Sequence, residues 1–168
     1  MSAIWIRVRD YYQALGAEPR PGVSHAALGA FEEAQGLTLP SPVRGLYLTV
    51  DGLQGEVPEF GFHALQLWPL ADLSRVSDRV AAFRGIPDYG PIVHTLPDAN
   101  QYVAFGDGAI WSHVLAFRLS QHAGPVLWIC GKSYAEVSPD FSEFWRRYLE
   151  DPDALLWPTD DQVISTAG

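Results

Sequence analysis

Two residue types are almost missing from this chain, and each scarcity excludes a class of protein. Cys130 is the only cysteine, so an internal disulfide framework is impossible and a reducing, cytoplasmic setting is expected. Lys132 is the only lysine, and 20 acidic residues outnumber 11 basic ones, for a net charge of −9. Affinity for nucleic acid depends on clustered lysine and arginine, so direct binding to nucleic acid is not expected.

Long apolar runs are also missing. No segment approaches the run of about 18–20 apolar residues that a membrane-spanning helix requires. The first residues, Met1–Arg7, show no basic region followed by an apolar stretch, so no secretory signal is expected. Neither membrane insertion nor secretion is therefore predicted.

What is present fits one globular domain. The chain has 168 residues, of which 48% are apolar and 12% aromatic, enough for a sizeable core. The acidic excess would attract a basic partner and speed its association. The simpler explanation, that the charge only keeps the protein soluble, stays open at this stage.

Helical periodicity and capping signals predict five helices. They are expected at about residues 3–15, from the N-cap Ser24 to Gly36, from Ser41-Pro42 to Val50, at about 73–83, and from Ser138-Pro139 to about 150. The third is expected to end in a left-handed cap at Gly52. The last has the clearest pattern, because its aromatic residues share one face.

Between these helices the sequence favours strands. They are predicted at residues 60–62, 64–67, 91–96, 101–105, 109–119 and 125–130, with turns at 106–108 and 120–124. Hairpin strands with helices before and after them indicate an α+β fold. Residues 1–150 are predicted to form one domain, and the Pro- and Asp-rich residues 151–168 an acidic, loosely attached tail.

Three segments in a fixed order carry a family resemblance. They are Gly36–Gly52, in which a helix lies between Leu39-Pro40 and Asp51-Gly52; Tyr102–Gly108, a strand ending in Gly-Asp; and Pro125–Trp128, followed later by Phe141–Trp145. Their order and spacing resemble the SMI1/KNR4 (SUKH) family over roughly residues 24–150. Asp51 stands where that family commonly has Asn, a mild departure because both residues tolerate a turn.

The resemblance implies both a fold and a kind of function. The implied fold is a mixed, mostly antiparallel and curved sheet flanked by N-terminal helices and a C-terminal helix. The implied function is that of an immunity protein that neutralises a bacterial toxin, often a nuclease. A non-catalytic adaptor or scaffold domain without a toxin partner is the alternative that the family also offers.

No catalytic or metal-binding constellation is predicted. The five histidines follow no recognised metal-site spacing; they are His25, His63, His94, His113 and His122. Cys130 ends an apolar strand, where a free cysteine is usually a small core residue. The chain is therefore not expected to be an enzyme or to need a cofactor.

A partner-binding surface is predicted at the loop after the third helix and at the turn around Asp107, because loops at the ends of elements carry function. Its carboxylates would attract a basic protein, expected to be a cognate toxin whose basic active-site surface is covered, and its aromatic side chains would anchor this partner. The residues assigned to it are Asp51, Glu56, Glu59, Phe60, Trp68 and Asp107. The acidic cluster from Glu150 to Asp161 is the second candidate.

A further set of residues is predicted to be structural. The side chains expected to be buried are Leu39, Leu46, Phe105, Trp128, Phe141 and Trp145. Pro40, Gly52 and Gly106 are expected to shape the backbone, with Gly52 at positive φ. Trp157 is expected to dock the tail onto the domain.

Overall fold

Helices are found at both ends of the chain and beside its central sheet. The computed structural model describes residues 3–55, 64–108 and 110–165. Its α-helices are α1 (Ala3–Ala14), α2 (His25–Gln35), α3 (Ser41–Tyr47), α4 (Ile92–Thr95), α5 (Phe141–Tyr148) and α6 (Asp153–Leu156). A short π-helical turn covers Val76–Val80.

The strands form a two-stranded ribbon and a larger sheet. They are β1 (Glu18–Pro21), β2 (Val50–Gln54), β3 (Leu65–Leu67), β4 (Ser74–Arg75), β5 (Tyr102–Gly108), β6 (His113–Arg118), β7 (Val126–Cys130) and β8 (Ser133–Ser138). The ribbon pairs β1 with β2, and the sheet runs β3-β5-β6-β7-β8 with β4 also on β5. Every strand pair within the described residues is antiparallel. The α+β prediction is confirmed, without the parallel pairing that a mixed sheet would include.

The first core lies between one face of the sheet and helices α1, α3 and α5. Phe105 of β5 contacts Phe141, Phe144 and Trp145 of α5 at ring-centroid distances of 5.1–6.2 Å. Asp140 fixes where this helix begins, because its side chain accepts the backbone N–H of Glu143 at 2.8 Å. Phe105, Phe141 and Trp145 are fully buried, as predicted.

The second core covers the opposite face of the sheet. Val114, Ala116 and Ile129 of the sheet pack against Val80 and Ile92, which come from the π-helical turn and α4. Side chains alternate between the two cores along β6, as the period of a strand requires. The sheet is therefore buried on both faces.

Strand β5 contains a register shift that changes which core its end faces. Its pairing with β6 shifts between Ala104 and Gly106, so Phe105 is the extra residue of a β-bulge. Because a bulge displaces the alternation by one residue, Asp107 lies opposite Val114, on the side of the second core. Gly106 suits this position, since a Cβ there would lie 2.7 Å from the Gln66 carbonyl oxygen.

Several local predictions were wrong. Residues 92–95 form helix α4 and not a strand, and residues 106–108 belong to β5 and not to a turn. The helix expected at 73–83 is present over residues 76–82, most of it π-helical, and the short strand β4 precedes it. Strands β1, β2 and β8 were not predicted at all.

Gly52 has positive φ, at +69°, but not for the predicted reason. Helix α3 ends at Tyr47, and Gly52 lies in the following strand β2. A Cβ at this position would collide with the backbone of Trp68 and Pro69. The glycine therefore permits close approach of two chain segments and does not cap a helix.

The C-terminal segment packs against the domain over the residues described. Leu155 and Leu156 of α6 are fully buried in the first core, and Ile164 pairs with Tyr134 of β8 in an isolated antiparallel bridge. Trp157, in contrast, is 44% exposed. Its ring nevertheless lies 5.2 Å from that of the buried His113, so the tryptophan contacts the domain alongside the two leucines.

The other residues predicted to be structural differ in how deeply they are buried. Leu39 and Leu46 are buried, as predicted. Pro40 is half-buried and directly precedes α3. Trp128 is only half-buried, so the prediction that it is a core residue was wrong. Its strand was assigned correctly, but its side chain lies at the margin of the first core.

The two tryptophans therefore predict unequal losses of stability. Trp145→Ala should lower the free energy of unfolding by about 3–5 kcal/mol, because it removes a fully buried ring and leaves a cavity. Trp128→Ala should cost less, since its site is open on one side. Urea denaturation of both variants tests this, and equal costs would contradict the difference in burial.

Candidate partner-binding surface

A buried carboxylate organises the end of the sheet where β5 turns into β6. Asp107 is 5% exposed. Its Oδ2 accepts the indole N–H of Trp68 at 2.5 Å, and its Oδ1 accepts the backbone N–H of Trp111 at 2.9 Å. A carboxylate with so little exposure needs such donors to compensate its lost hydration. These bonds fix both tryptophans relative to the sheet.

The same network reaches strand β2. Asp51 is half-buried, and its Oδ1 accepts the backbone N–H of Leu70 at 2.7 Å. The Tyr47 hydroxyl donates to the carbonyl oxygen of Trp68 at 3.0 Å. Asp51, Trp68 and Asp107, which are far apart in sequence, are therefore brought into one connected structural unit.

Aromatic rings stack outward from Trp68. Its ring lies 5.0 Å from that of Trp111, and the Trp111 ring lies 4.9 Å from that of Phe83, both in stacked orientation. The Arg79 guanidinium lies 5.2 Å from the centroid of Trp68 and 5.5 Å from that of Trp111, in reach of cation–π attraction. Arg79 also pairs with Asp72 at 3.2 Å. We call Trp68, Phe83, Trp111 and Arg79 the aromatic–arginine stack.

Apolar side chains are exposed on the segments that carry this stack. Ile110 is 81% exposed and Ile86 is 99% exposed. Ile110 and Trp111 both have positive φ, at +55° and +63°, a conformation that a β-branched residue rarely adopts. The bond from Trp111 N–H to Asp107 and that from Ser112 N–H to the Gly108 carbonyl, at 3.1 Å, hold this turn.

The six residues predicted from sequence fall into two groups. Glu56, Glu59 and Phe60 lie outside the described residues. Asp51, Trp68 and Asp107 are brought together, but Trp68 and Asp107 are each only 5% exposed. The expectation that Trp68 is an exposed anchor was therefore wrong, because its indole N–H is directed into the protein towards Asp107.

Sequence reasoning missed the turn at this end. The predicted strand 109–119 and helix 73–83 include Ile110, Trp111 and Phe83, but Ile110 is exposed and the two aromatic residues are half-buried. No local signal marked the turn, because isoleucine and tryptophan both favour strands. The partners of Asp107 could not be found from sequence spacing, since Trp68 is 39 positions away.

A second cluster surrounds His113 on the other face of the sheet. The His113 ring lies 5.8 Å from that of Trp128 and 5.2 Å from that of Trp157, and a Cβ on Gly108 would collide with it. Within the described residues its Nε2 is buried with no hydrogen-bond partner. Burial lowers the pKa of His113 to about 4.

The remaining nucleophilic and metal-ligating groups are dispersed. Burial raises the pKa of the Cys130 thiol, which lowers its thiolate fraction at neutral pH. In residues 3–55, 64–108 and 110–165, no three His, Cys, Asp or Glu side chains come together as metal ligands would. None of the helices described has the length and apolar character to cross a bilayer.

The sequence matches one protein family over most of its length. Residues 22–147 match the model of the SMI1/KNR4 family (SUKH-1). The chain belongs to this family. The match spans α2 to all but the last residue of α5, and so includes Asp51, Trp68 and Asp107. No curated protein gives a significant match to the chain.

Because the Asp107 carboxylate accepts two hydrogen bonds, replacing it with an amide should lower the stability of the fold. Asp107→Asn turns one acceptor oxygen into an N–H₂ group that faces a donor, so the free energy of unfolding should fall by about 1–3 kcal/mol. Urea denaturation measures this. The matched change Asp160→Asn, at an exposed carboxylate, should alter stability by less than about 0.5 kcal/mol; similar losses in both variants would show that Asp107 has no special role.

The His113 environment predicts acid sensitivity. The unfolded chain binds a proton at this imidazole near pH 6.5, but the folded chain does so only near pH 4. The free energy of unfolding should therefore fall by about 3 kcal/mol as the pH drops across this window, with no further loss from this group below it.

Denaturation at pH 7.5 and pH 4.5 tests the assignment. His113→Gln should reduce the pH dependence, whatever its effect on absolute stability, while His122→Gln, at an exposed turn residue, should leave it as in the unchanged protein. A pH dependence that survives in His113→Gln would assign the acid sensitivity to other groups.

Proposed function

We propose that this protein binds and neutralises a cognate bacterial toxin, such as a nuclease, by covering the toxin's basic active-site surface. Membership of the SMI1/KNR4 family supports a protein-binding role of the immunity type. The net charge of −9 supports a basic partner, because complementary charge speeds encounter. The mechanism is steric and electrostatic, and it needs no catalytic group in this chain.

We place the surface at Ile110, because this exposed apolar residue lies beside the aromatic–arginine stack. Interface hot spots are rich in aromatic and arginine residues and are surrounded by contacts that exclude water. Here Ile110 projects from a turn that is fixed from beneath by the Asp107 network. A fixed base favours binding, since little conformational entropy is lost when the partner arrives.

The proposed surface also includes acidic residues that precede β3 in the chain. Leu65 of β3 pairs with Gly108, so the chain enters β3 next to the β5–β6 turn. The preceding residues include Glu56, Glu59 and Phe60, which we assign to partner binding together with Asp51. Their carboxylates attract the basic partner, and Ile110 provides an apolar contact.

A non-catalytic adaptor domain without a toxin partner is the second possibility within the same family. The same surface would then bind a different protein. Co-expression separates the two functions: a neutralising protein restores growth to cells that produce the toxin encoded beside its gene, whereas an adaptor does not.

The surface assignment predicts a selective loss of binding. With a partner identified from the neighbouring toxin gene or by pull-down from the native host, Ile110→Asn should accelerate dissociation about tenfold. Asparagine tolerates positive φ, so the turn should be preserved. Surface plasmon resonance measures the rates.

Val93→Asn is the matched control, because Val93 is also β-branched and exposed but lies on α4. It should leave the rates unchanged. Charge reversal at Glu56 and Glu59 should instead slow association, and this effect should shrink as salt screens the charges. Unchanged kinetics in the Ile110 and glutamate variants would place the interface elsewhere, with the acidic C-terminal segment as the next candidate.

A further inference from the structure

A separate cleft opens on the helical side of the molecule, and none of its lining residues is among those assigned to the surface proposed above. It has a volume of about 740 Å³ and lies where α1, α2, α3 and the start of α5 meet. This volume is within the range of small-molecule binding sites. Its apolar wall includes Ile4, Val23 and Leu48.

The Trp5 indole places one hydrogen-bond donor in the wall of this cleft. Trp5 is 3% exposed, and its indole N–H donates to no acceptor among the described residues. The Nε1 atom lies against Gly45, where a Cβ would be only 2.5 Å away, and both residues line the cleft. An acceptor supplied by a ligand in the cleft would take the place of water at this N–H.

Further donors lie around the same space. Helix α2 begins at the cleft with Ser24 and His25, and its first turn holds no acidic residue. Its positive N-terminal end is thus not compensated by a carboxylate of its own first turn. Ser24 Oγ accepts the N–H of Ala27 at 3.1 Å, which leaves its hydroxyl proton available. The Ser41 and Ser142 side chains add two more hydroxyl groups to the wall.

The charge of the cleft differs from that of the whole chain. Among the described residues, its lining includes no Asp, Glu, Lys or Arg, although the net charge is −9. Two carboxylates on the bordering helices are each paired with arginine: Glu32 with Arg44 at 2.5 Å, and Glu143 with Arg146 at 2.5 Å. Asp140 caps α5 and accepts the N–H of Glu143 at 2.8 Å. These partners reduce the repulsion that an anion would meet at the cleft.

We propose that this cleft binds a carboxylate attached to an apolar body. The carboxylate would accept from the Trp5 indole, from the hydroxyl groups and from the first turn of α2, and the apolar body would cover Ile4, Val23 and Leu48. Such chemistry is offered both by a free organic acid and by the C-terminal residue of a polypeptide. The site is independent of the toxin-binding surface, so either proposal can fail without the other.

The test uses the full chain labelled with ¹⁵N and follows the tryptophan indole N–H signals by NMR. The signal of Trp5 is assigned by its loss in Trp5→Phe. The probes are phenylacetate, N-acetylphenylalanine as a mimic of a chain terminus, and the uncharged controls phenylacetamide and N-acetylphenylalaninamide. We expect a saturable shift of the Trp5 signal with the acids and a response at least about tenfold weaker with the amides.

Variants separate recognition from general effects. Trp5→Phe retains a ring but removes the donor, and isothermal titration should show affinity for the acids reduced about tenfold. Trp157→Phe removes an indole N–H outside the cleft and should change nothing. Circular dichroism and urea denaturation establish that both variants fold.

The results distinguish the two sources of the carboxylate and test whether the cleft binds one at all. Binding of phenylacetate alone supports a free acid as ligand, and binding of N-acetylphenylalanine supports a chain terminus. Should Trp5→Phe fail to fold, Ser142→Ala replaces it and should weaken binding of the acids without affecting the response to the amides. Equal responses to acids and amides, or no response to any probe at millimolar concentration, would overturn it.

Discussion

The carboxylate of Asp107 is the interaction on which one whole end of this molecule depends. A charge with so little exposure is tolerated only where donors replace water, and here Trp68 and Trp111 supply them. Through these bonds the segment after β3 is tied to β5, and the strained β5–β6 turn is held in one conformation. The stacking of Trp68, Trp111 and Phe83, and the position of Arg79 over the rings, follow from this anchorage.

In the proposed function, this anchorage lets a small acidic domain present an apolar residue to a partner. The sheet is packed on both faces, with α5 on one side and α4 on the other. The turn that bears Ile110 is therefore an extension of a rigid body. Membership of the SMI1/KNR4 family supports the proposed role in protein recognition, and the packing gives the proposed surface a rigid base.

Much of the helical layer was predictable because its determinants are local. Ser24 caps α2 and Gly36 ends it in the left-handed conformation, and both signals lie within a few residues of the helix. The aromatic face of α5 has the helical period, so the burial of Phe141 and Trp145 followed from spacing alone. The family resemblance also depended on short segments in a fixed order, and the family match agrees with it.

The candidate site was decided by contacts that no local pattern encodes. Composition and spacing determined an acidic α+β domain without a disulfide framework, and they marked Asp51, Trp68 and Asp107 as special. Whether those residues are exposed depended on the bulge at Phe105, which turns Asp107 towards the second core, and on a bond to Trp68 across 39 positions. A one-residue shift reverses the face of a strand, so only the tertiary structure could show that these residues support the surface from beneath.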